Sequence, residues 1–158
     1  MKLERAFTKL IKEHEAIILK VCNVYCREAA DRDDLYQDIL IQLWKAFPRF
    51  SGQSKVTTWM YRIAFNTAVS RFRKVQKAPK PEPIPDHMPA ETTADSEQLQ
   101  ALYAALDCLN KIERAIMMLY LDGVKYQEIG EIMGLSESNV GFKINRIKGK
   151  LRQHLKQS

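Results

Sequence analysis

Tyr126-Gln127-Glu128-Ile129-Gly130-Glu131-Ile132-Met133-Gly134-Leu135-Ser136, followed directly by Glu137-Ser138-Asn139-Val140-Gly141-Phe142-Lys143-Ile144-Asn145-Arg146, decides how this chain folds. Two helical patterns meet there with only Gly134, Leu135 and Ser136 between them. The first, Tyr126–Met133, stops at a glycine, which takes a left-handed helix end at no steric cost. Ser136 then offers its hydroxyl to the free amides of a longer helix over 137–155. Short helix, glycine turn and capped longer helix make the plan of a helix-turn-helix. On the longer helix Val140, Ile144, Ile147, Leu151 and Leu155 form a narrow apolar stripe. Asn139, Lys143, Arg146 and Lys150 fall on a neighbouring polar face, with Ser138 and Phe142 on its edge. That face is either a solvated helix surface or one that enters a major groove; turn, cap and charge together favour the groove.

The same periodicity extends upstream. Leu99, Leu102, Leu106 and Leu109 make one stripe. Asn110 caps a new helix with Glu113 three residues on, a capping-box spacing, and Asp122-Gly123 closes it. Before this lies a different composition: five of the six prolines fall between Pro79 and Pro89, in Ala78-Pro79-Lys80-Pro81-Glu82-Pro83-Ile84-Pro85 and beyond. Alternating prolines forbid helix and predict an extended spacer, and the polar run 91–96 has no core periodicity. We therefore divide the chain into a domain over 1–78, an acidic, proline-rich linker over 79–96 and a second domain over 97–158.

The first domain is helical as well. Phe7, Leu10, Ile11, His14, Ile17, Ile18, Val21 and Tyr25 keep helical spacing over five turns. Asp31 and Asp34 suit a second helix start, with Asp31 as its cap; Leu35, Ile39, Leu43 and Phe47 follow, and Pro48 ends the stripe. Ser51-Gly52-Gln53-Ser54 reads as a loop before a third helix over 58–75. No stretch alternates convincingly as a strand. The expected fold is all-α: two small helical domains joined by a linker.

Composition excludes several classes. The 158 residues are 46% hydrophobic, enough for real cores, and no apolar run approaches the ~18 residues of a membrane span. The amphipathic start lacks a signal-peptide apolar block, and three cysteines cannot staple a secreted scaffold, so a cytoplasmic protein without membrane insertion is expected. The net charge of +6 is unevenly placed. Residues 1–78 carry 15 basic and 8 acidic side chains, 79–110 carry 1 and 6, and 111–158 carry 9 and 5. Two basic regions flank an acidic connector, which points to a polyanion.

The third helix carries a second candidate surface. Arg62, Asn66, Ser70 and Arg73 share a face flanked by Trp59, with Met60, Ala64, Ala68 and Phe72 opposite. Trp59, Tyr61, Phe65 and Phe72 beside Arg71, Arg73, Lys74 and Lys77 resemble the aromatic-basic mixture of single-strand binders. The competing reading is that most of these rings fill the core.

Asp34-Leu35-Tyr36-Gln37-Asp38-Ile39-Leu40-Ile41-Gln42-Leu43-Trp44, then Phe50-Ser51-Gly52, then Thr58-Trp59-Met60-Tyr61-Arg62-Ile63-Ala64-Phe65-Asn66, resembles region 2 of the sigma factors of bacterial RNA polymerase. The stretch 126–146 resembles region 4.2 of the same proteins. With only these two regions, the chain is similar to the extracytoplasmic-function, group IV type. The resemblance implies a dissociable initiation subunit, not an enzyme, with no catalytic residue, cofactor, metal or small-molecule substrate. It implies core RNA polymerase and promoter DNA as partners, and an anti-sigma factor as a plausible regulator. Carried over residue by residue, it implies polymerase binding by Asp34, Gln37, Asp38, Ile41 and Gln42. Minus-ten strand capture falls to Phe50, Ser51, Gly52, Gln53, Ser54, Trp59, Arg62 and Asn66. Minus-thirty-five reading falls to Ser138, Asn139, Lys143 and Arg146. The sequence departs from the family at Gly141, where lysine is usual, at Phe142, often small and polar, and at Lys55-Val56 in place of Ser-Phe.

Other candidate sites read as structural. Cys22, Cys26 and Cys108 are expected to be buried thiols rather than metal ligands. His87 and His154 are expected in solvent, and Asp31, Asp33, Asp34 and Asp38 to complement a helix dipole. No nucleophile motif or phosphate loop occurs. Two other functions fit parts of the pattern: an autonomous helix-turn-helix regulator, and a nucleic-acid-processing enzyme, for which no catalytic cluster stands out.

Overall fold

The computed structural model describes residues 2–77 and 96–156; the linker expected over 79–96 therefore lies, but for Ser96, outside the described residues. The chain runs α1 (Lys2–Tyr25), α2 (Ala29–Ala46), a 3₁₀ turn (Phe47–Arg49), α3 (Val56–Lys77), α4 (Ser96–Leu106), α5 (Lys111–Leu121), α6 (Tyr126–Met133) and α7 (Glu137–Lys156). Among the described residues there is no strand, as the periodicity required.

The apolar stripes are the packing faces. Ile18 and Val21 of α1, Leu35, Ile39 and Leu43 of α2, and Met60, Ala64 and Ala68 of α3 are fully buried. Each buried Leu or Ile among them contributes about 1.5–3 kcal/mol relative to exposure. In the second half Ile116, Leu119, Ile129, Val140, Ile144 and Ile147 do the same.

Several local expectations need correction. Helix α1 is not continuous: His14 takes non-helical angles (φ −122°, ψ 20°), so two helical segments meet there. The residue at the cap position of α2 is Glu28, whose side chain does not cap the helix amides, and Asp31 sits inside the first turn. At that position the carboxylate meets the helix dipole but cannot cap. Leu102 and Leu155, expected on packed stripes, are exposed at 38% and 60%. Tyr61 and Phe65 are core rings, stacked with centroids 5.8 Å apart.

The domains are in contact. Helix α3 packs on α5 and α6, and α1 on α5. The buried apolar cluster continues from one domain into the other. Tyr25 donates to the Lys111 carbonyl at 2.5 Å, and Tyr61 to Asp122 at 3.0 Å. Burial pushes both phenols up, which keeps each hydroxyl a donor.

Candidate nucleic-acid and polymerase interfaces

The loop after α2 begins with Pro48 inside the 3₁₀ turn, where its missing amide costs nothing. Gly52 then turns the chain at φ 77°, in the left-handed region, with open space around it. This return lays the Phe50 ring against Trp59, centroids 4.7 Å apart and planes at 31°. Ala46, Arg49, Phe50, Gln53, Ser54, Trp59 and Arg62 line a cleft of about 400 Å³, with Glu131 of α6 on its edge. Five of the eight residues expected on the minus-ten surface thus come together. Ser51, Gly52 and Asn66 are exposed but do not line the cleft. Arg49 does, although no motif singles it out; its only sequence signal is a basic residue beside Pro48 in an acid-free stretch. Flat rings, two guanidinium groups and amide or hydroxyl side chains in one cleft are the chemistry that holds an unstacked base and its phosphate.

Helix α2 presents the second surface. With Leu35, Ile39 and Leu43 turned inward, Asp34, Gln37, Ile41 and Gln42 are exposed and Asp38 is half-buried. Arg71 of α3 reaches Asp38 at 2.7 Å and Asp34 at 3.5 Å. Ile41 and Trp44 leave apolar area in water beside these acids, at 48% and 38% exposure. Trp44, outside the expected set, is set edge-on against Phe7 at 5.1 Å.

The third surface is the helix-turn-helix, whose turn depends on two glycines. Gly134 ends α6 at φ 73°. Gly130 lies so close to the turn that a Cβ there would stand 2.4 Å from the Leu135 carbonyl oxygen. Ser136 accepts from the Asn139 amide at 3.2 Å, the expected cap. Ser138, Asn139 and Arg146 are exposed and Lys143 half-buried on the outer face of α7. Phe142 stands 67% exposed between them. Lys150 departs from its expected place on that face: it turns inward to Glu113 at 2.8 Å. Lys148 lies over the Tyr120 ring, 4.6 Å from its centroid. A Cβ at Gly141 would meet only the Tyr126 ring at 3.5 Å, an ordinary contact, so no close approach demands that glycine.

Cys22 and Cys26 are buried as expected, but Cys108 is exposed, since it lies in the α4–α5 connection rather than on a packed face. His154 is half-buried rather than fully in solvent. His87 falls outside the described residues. Among the described residues no three His, Cys, Asp or Glu side chains group to hold a metal ion, and no helix is long and apolar enough to cross a membrane.

The sequence patterns of two families match in order: Sigma-70 region 2 over residues 10–78, and Sigma-70, region 4 over residues 99–151. The chain belongs to the sigma-70 family. Within it, this sigma factor is similar to the ECF RNA polymerase sigma factor SigX of Bacillus subtilis, 26% identical over 97% of this chain and 85% of the relative. It is likewise similar to the ECF RNA polymerase sigma-E factor of Escherichia coli, 28% identical over 90% of this chain and 83% of the relative. The fold matches CnrH, solved with the cytosolic domain of CnrY, at a TM-score of 0.74 and 22% identity, covering 98% of this chain and 90% of that one. It also matches the sigma factor RpoE of Bartonella quintana, solved with the anti-sigma factor NepR, at 0.68 and 22% identity, covering 98% and 97%. The chain is an ECF-type sigma factor, an initiation subunit that directs RNA polymerase to promoters.

Proposed function

We propose that this sigma factor divides promoter recognition between its two domains and takes no part in bond-making itself. Asp34, Gln37, Asp38, Ile41 and Gln42 of α2 bind core polymerase. The cleft around Phe50 and Trp59, with Arg62 and Asn66 beside it, traps bases of the minus-ten strand as the duplex opens. Ser138, Asn139, Lys143 and Arg146 read the minus-thirty-five duplex. The observation that carries this reading is the Phe50–Trp59 ring pair between Arg49 and Arg62, a stacking surface framed by cations. Trapping unstacked bases stabilises the open strand against re-pairing, whereas a groove-bound helix needs only base edges and phosphates. The segment over 79–96 tethers the domains, so that once both are fixed on polymerase each raises the effective concentration of the other.

The site of action is the cytoplasm, where polymerase and promoters meet. An anti-sigma factor is a fitting regulator, since RpoE of Bartonella quintana was solved with one and CnrH with the cytosolic domain of CnrY. Reconstitution with core polymerase on genomic promoter fragments tests the division. Trp59→Ala is expected to keep closed-complex formation and lose strand opening, read by permanganate reactivity. Arg146→Ala is expected to weaken closed-complex formation itself. Loss of closed complexes by Trp59→Ala with normal opening by Arg146→Ala would reverse the assignment.

A further inference from the structure

One side chain on the outer face of α7 is out of keeping with its neighbours. Phe142 is 67% exposed, more than any other large apolar side chain among the described residues. Val140, Ile144 and Ile147 are fully buried and fix the inner side of the helix. At about 3.6 residues per turn, the line opposite them passes through Ser138, Phe142 and Gly149, with Asn145 and Arg146 on its two sides. All five are exposed, and the space around Gly149 is open. The ring is therefore the one bulky group on that line. It sits in the second turn of α7, in the half that reaches base edges in a helix-turn-helix. From residue 138 onward the chain carries six Lys or Arg and no acid, so charge directs this face toward a polyanion and not toward an apolar protein surface.

We infer that Phe142 is a specificity residue: its ring reads the 5-methyl group of a thymine in the minus-thirty-five duplex, so that one base pair of the element is chosen by apolar contact rather than by a hydrogen bond. This rests on the proposal that the outer face of α7 enters the major groove. A groove about 12 Å wide admits a helix, and the outermost line of that helix meets the groove floor first. The floor presents hydrogen-bond donors and acceptors at the base edges, and thymine alone adds a methyl group. A phenyl ring set against a purine N7 or the amino group of cytosine shuts out water and returns no hydrogen bond. Set against a thymine methyl, it removes apolar area of both partners from water. The ring thus favours thymine twice, by the contact it makes and by the cost it imposes on the other bases. Ser138 one turn earlier and Arg146 one turn later place polar groups on either side of it, so the thymine falls within the stretch those two residues span rather than at its edge.

The test uses holoenzyme assembled from the full chain and core RNA polymerase, with duplexes randomised across the minus-thirty-five region. Closed complexes of the parent are expected to select an element with a fixed thymine. Replacing that thymine by uracil removes the methyl group alone, and is expected to weaken the closed complex about fourfold, the worth of one buried methyl. Phe142→Ser leaves the packed side of α7 untouched. It is expected to bind the thymine and uracil duplexes equally and to lose selection at that position only. Phe142→Leu, which keeps an apolar tip, is expected to retain the preference for thymine over uracil. An element without a fixed thymine overturns the role of Phe142. So does a parent that binds uracil as tightly as thymine at every selected thymine, or a uracil penalty that survives Phe142→Ser. Closed complexes that select no upstream element, or select one that neither Phe142→Ser nor Arg146→Ala alters, overturn the placement of α7 in the groove, and the thymine contact with it.

Discussion

Arg71 on α3 donates to Asp38 on α2 at 2.7 Å, joining the helix assigned to polymerase to the helix assigned to the minus-ten strand. Asp34 stands 3.5 Å from the same guanidinium. Arg71 is largely covered and both acids are part-exposed, so the cation fixes two carboxylates whose outer oxygens still face water. Charge reversal at this face therefore has two separable effects. Asp38→Arg sets two guanidinium groups together and is expected to lower stability by about 1 kcal/mol while weakening polymerase binding. Gln42→Arg, on the exposed face, is expected to weaken polymerase binding with stability changed by less than about 0.5 kcal/mol. Urea midpoints beside co-elution with core polymerase separate the two; full binding by Gln42→Arg would move the interface off this face.

Two glycines of the second domain, Gly130 and Gly141, make opposite predictions. A methyl group at Gly130 would stand 2.4 Å from the Leu135 carbonyl oxygen, which is backbone and cannot swing aside. Gly130→Ala is expected to destabilise by about 1–3 kcal/mol through forced displacement of the turn. Gly141→Ala meets only the Tyr126 ring at ordinary distance and gains helix propensity, so a stabilisation of up to about 1 kcal/mol is expected. Thermal unfolding of the two variants checks the contrast, and equal losses would refute it.

These cases show where sequence suffices. The Asn110–Glu113 capping box, the Gly123 and Gly134 helix ends and the buried stripe Val140, Ile144 and Ile147 are local, set by residues within a few positions of each other. Periodicity and cap chemistry state them directly. The break at His14 has no local signature, because neither proline nor glycine marks it. Lys150 and Arg49 show the other limit. A helical wheel gives the face a side chain leaves from, but not that Glu113 lies within reach of a long flexible stem. Nor does it say that the loop returns Phe50 over Trp59 and brings Arg49 into the cleft. The contact between domains was illegible for the same reason, since it joins residues 61 to 102 positions apart.

The cysteines predict a pattern of reactivity. Burial, first, pushes the Cys22 thiol up to about 12, with Cys26 and Asp33 adding to it, and the Cys26 thiol up to about 11, with Asp31 and Asp34 adding to it. Arg32 and Arg71 oppose the rise in both. Since the thiolate is the nucleophile, both are inert near neutral pH while the protein is folded. Cys108 is exposed. A disulfide reagent at pH 8 is expected to modify one thiol per chain quickly and three in denaturant. Rapid modification of two or three in the native protein would contradict the packing of α1.

Glu113 links the second domain's stability to pH. Burial pushes its carboxyl up, but donation from Lys150 and from the Asn110 amide, with the positive charge of Lys150 and Arg146, outweighs this and holds it below the usual glutamate range. A carboxyl lowered on folding binds fewer protons in the native state than in the unfolded chain. Its contribution is therefore complete above the unfolded value of about 4.3 and is lost as pH falls through the lower native value. Glu113→Gln keeps the shape and removes the charge, so its stability deficit against the parent is expected to be constant from about pH 7 to 5, then to narrow as the parent's carboxyl protonates. Asn110→Ala, which removes the other half of the box, is expected to cost about 1 kcal/mol at every pH in this range. Urea unfolding at pH 7, 5, 4 and 3 reads both curves. A Glu113→Gln deficit that widens toward pH 3 would mean that the carboxyl is raised on folding, and that burial outweighs Lys150 after all.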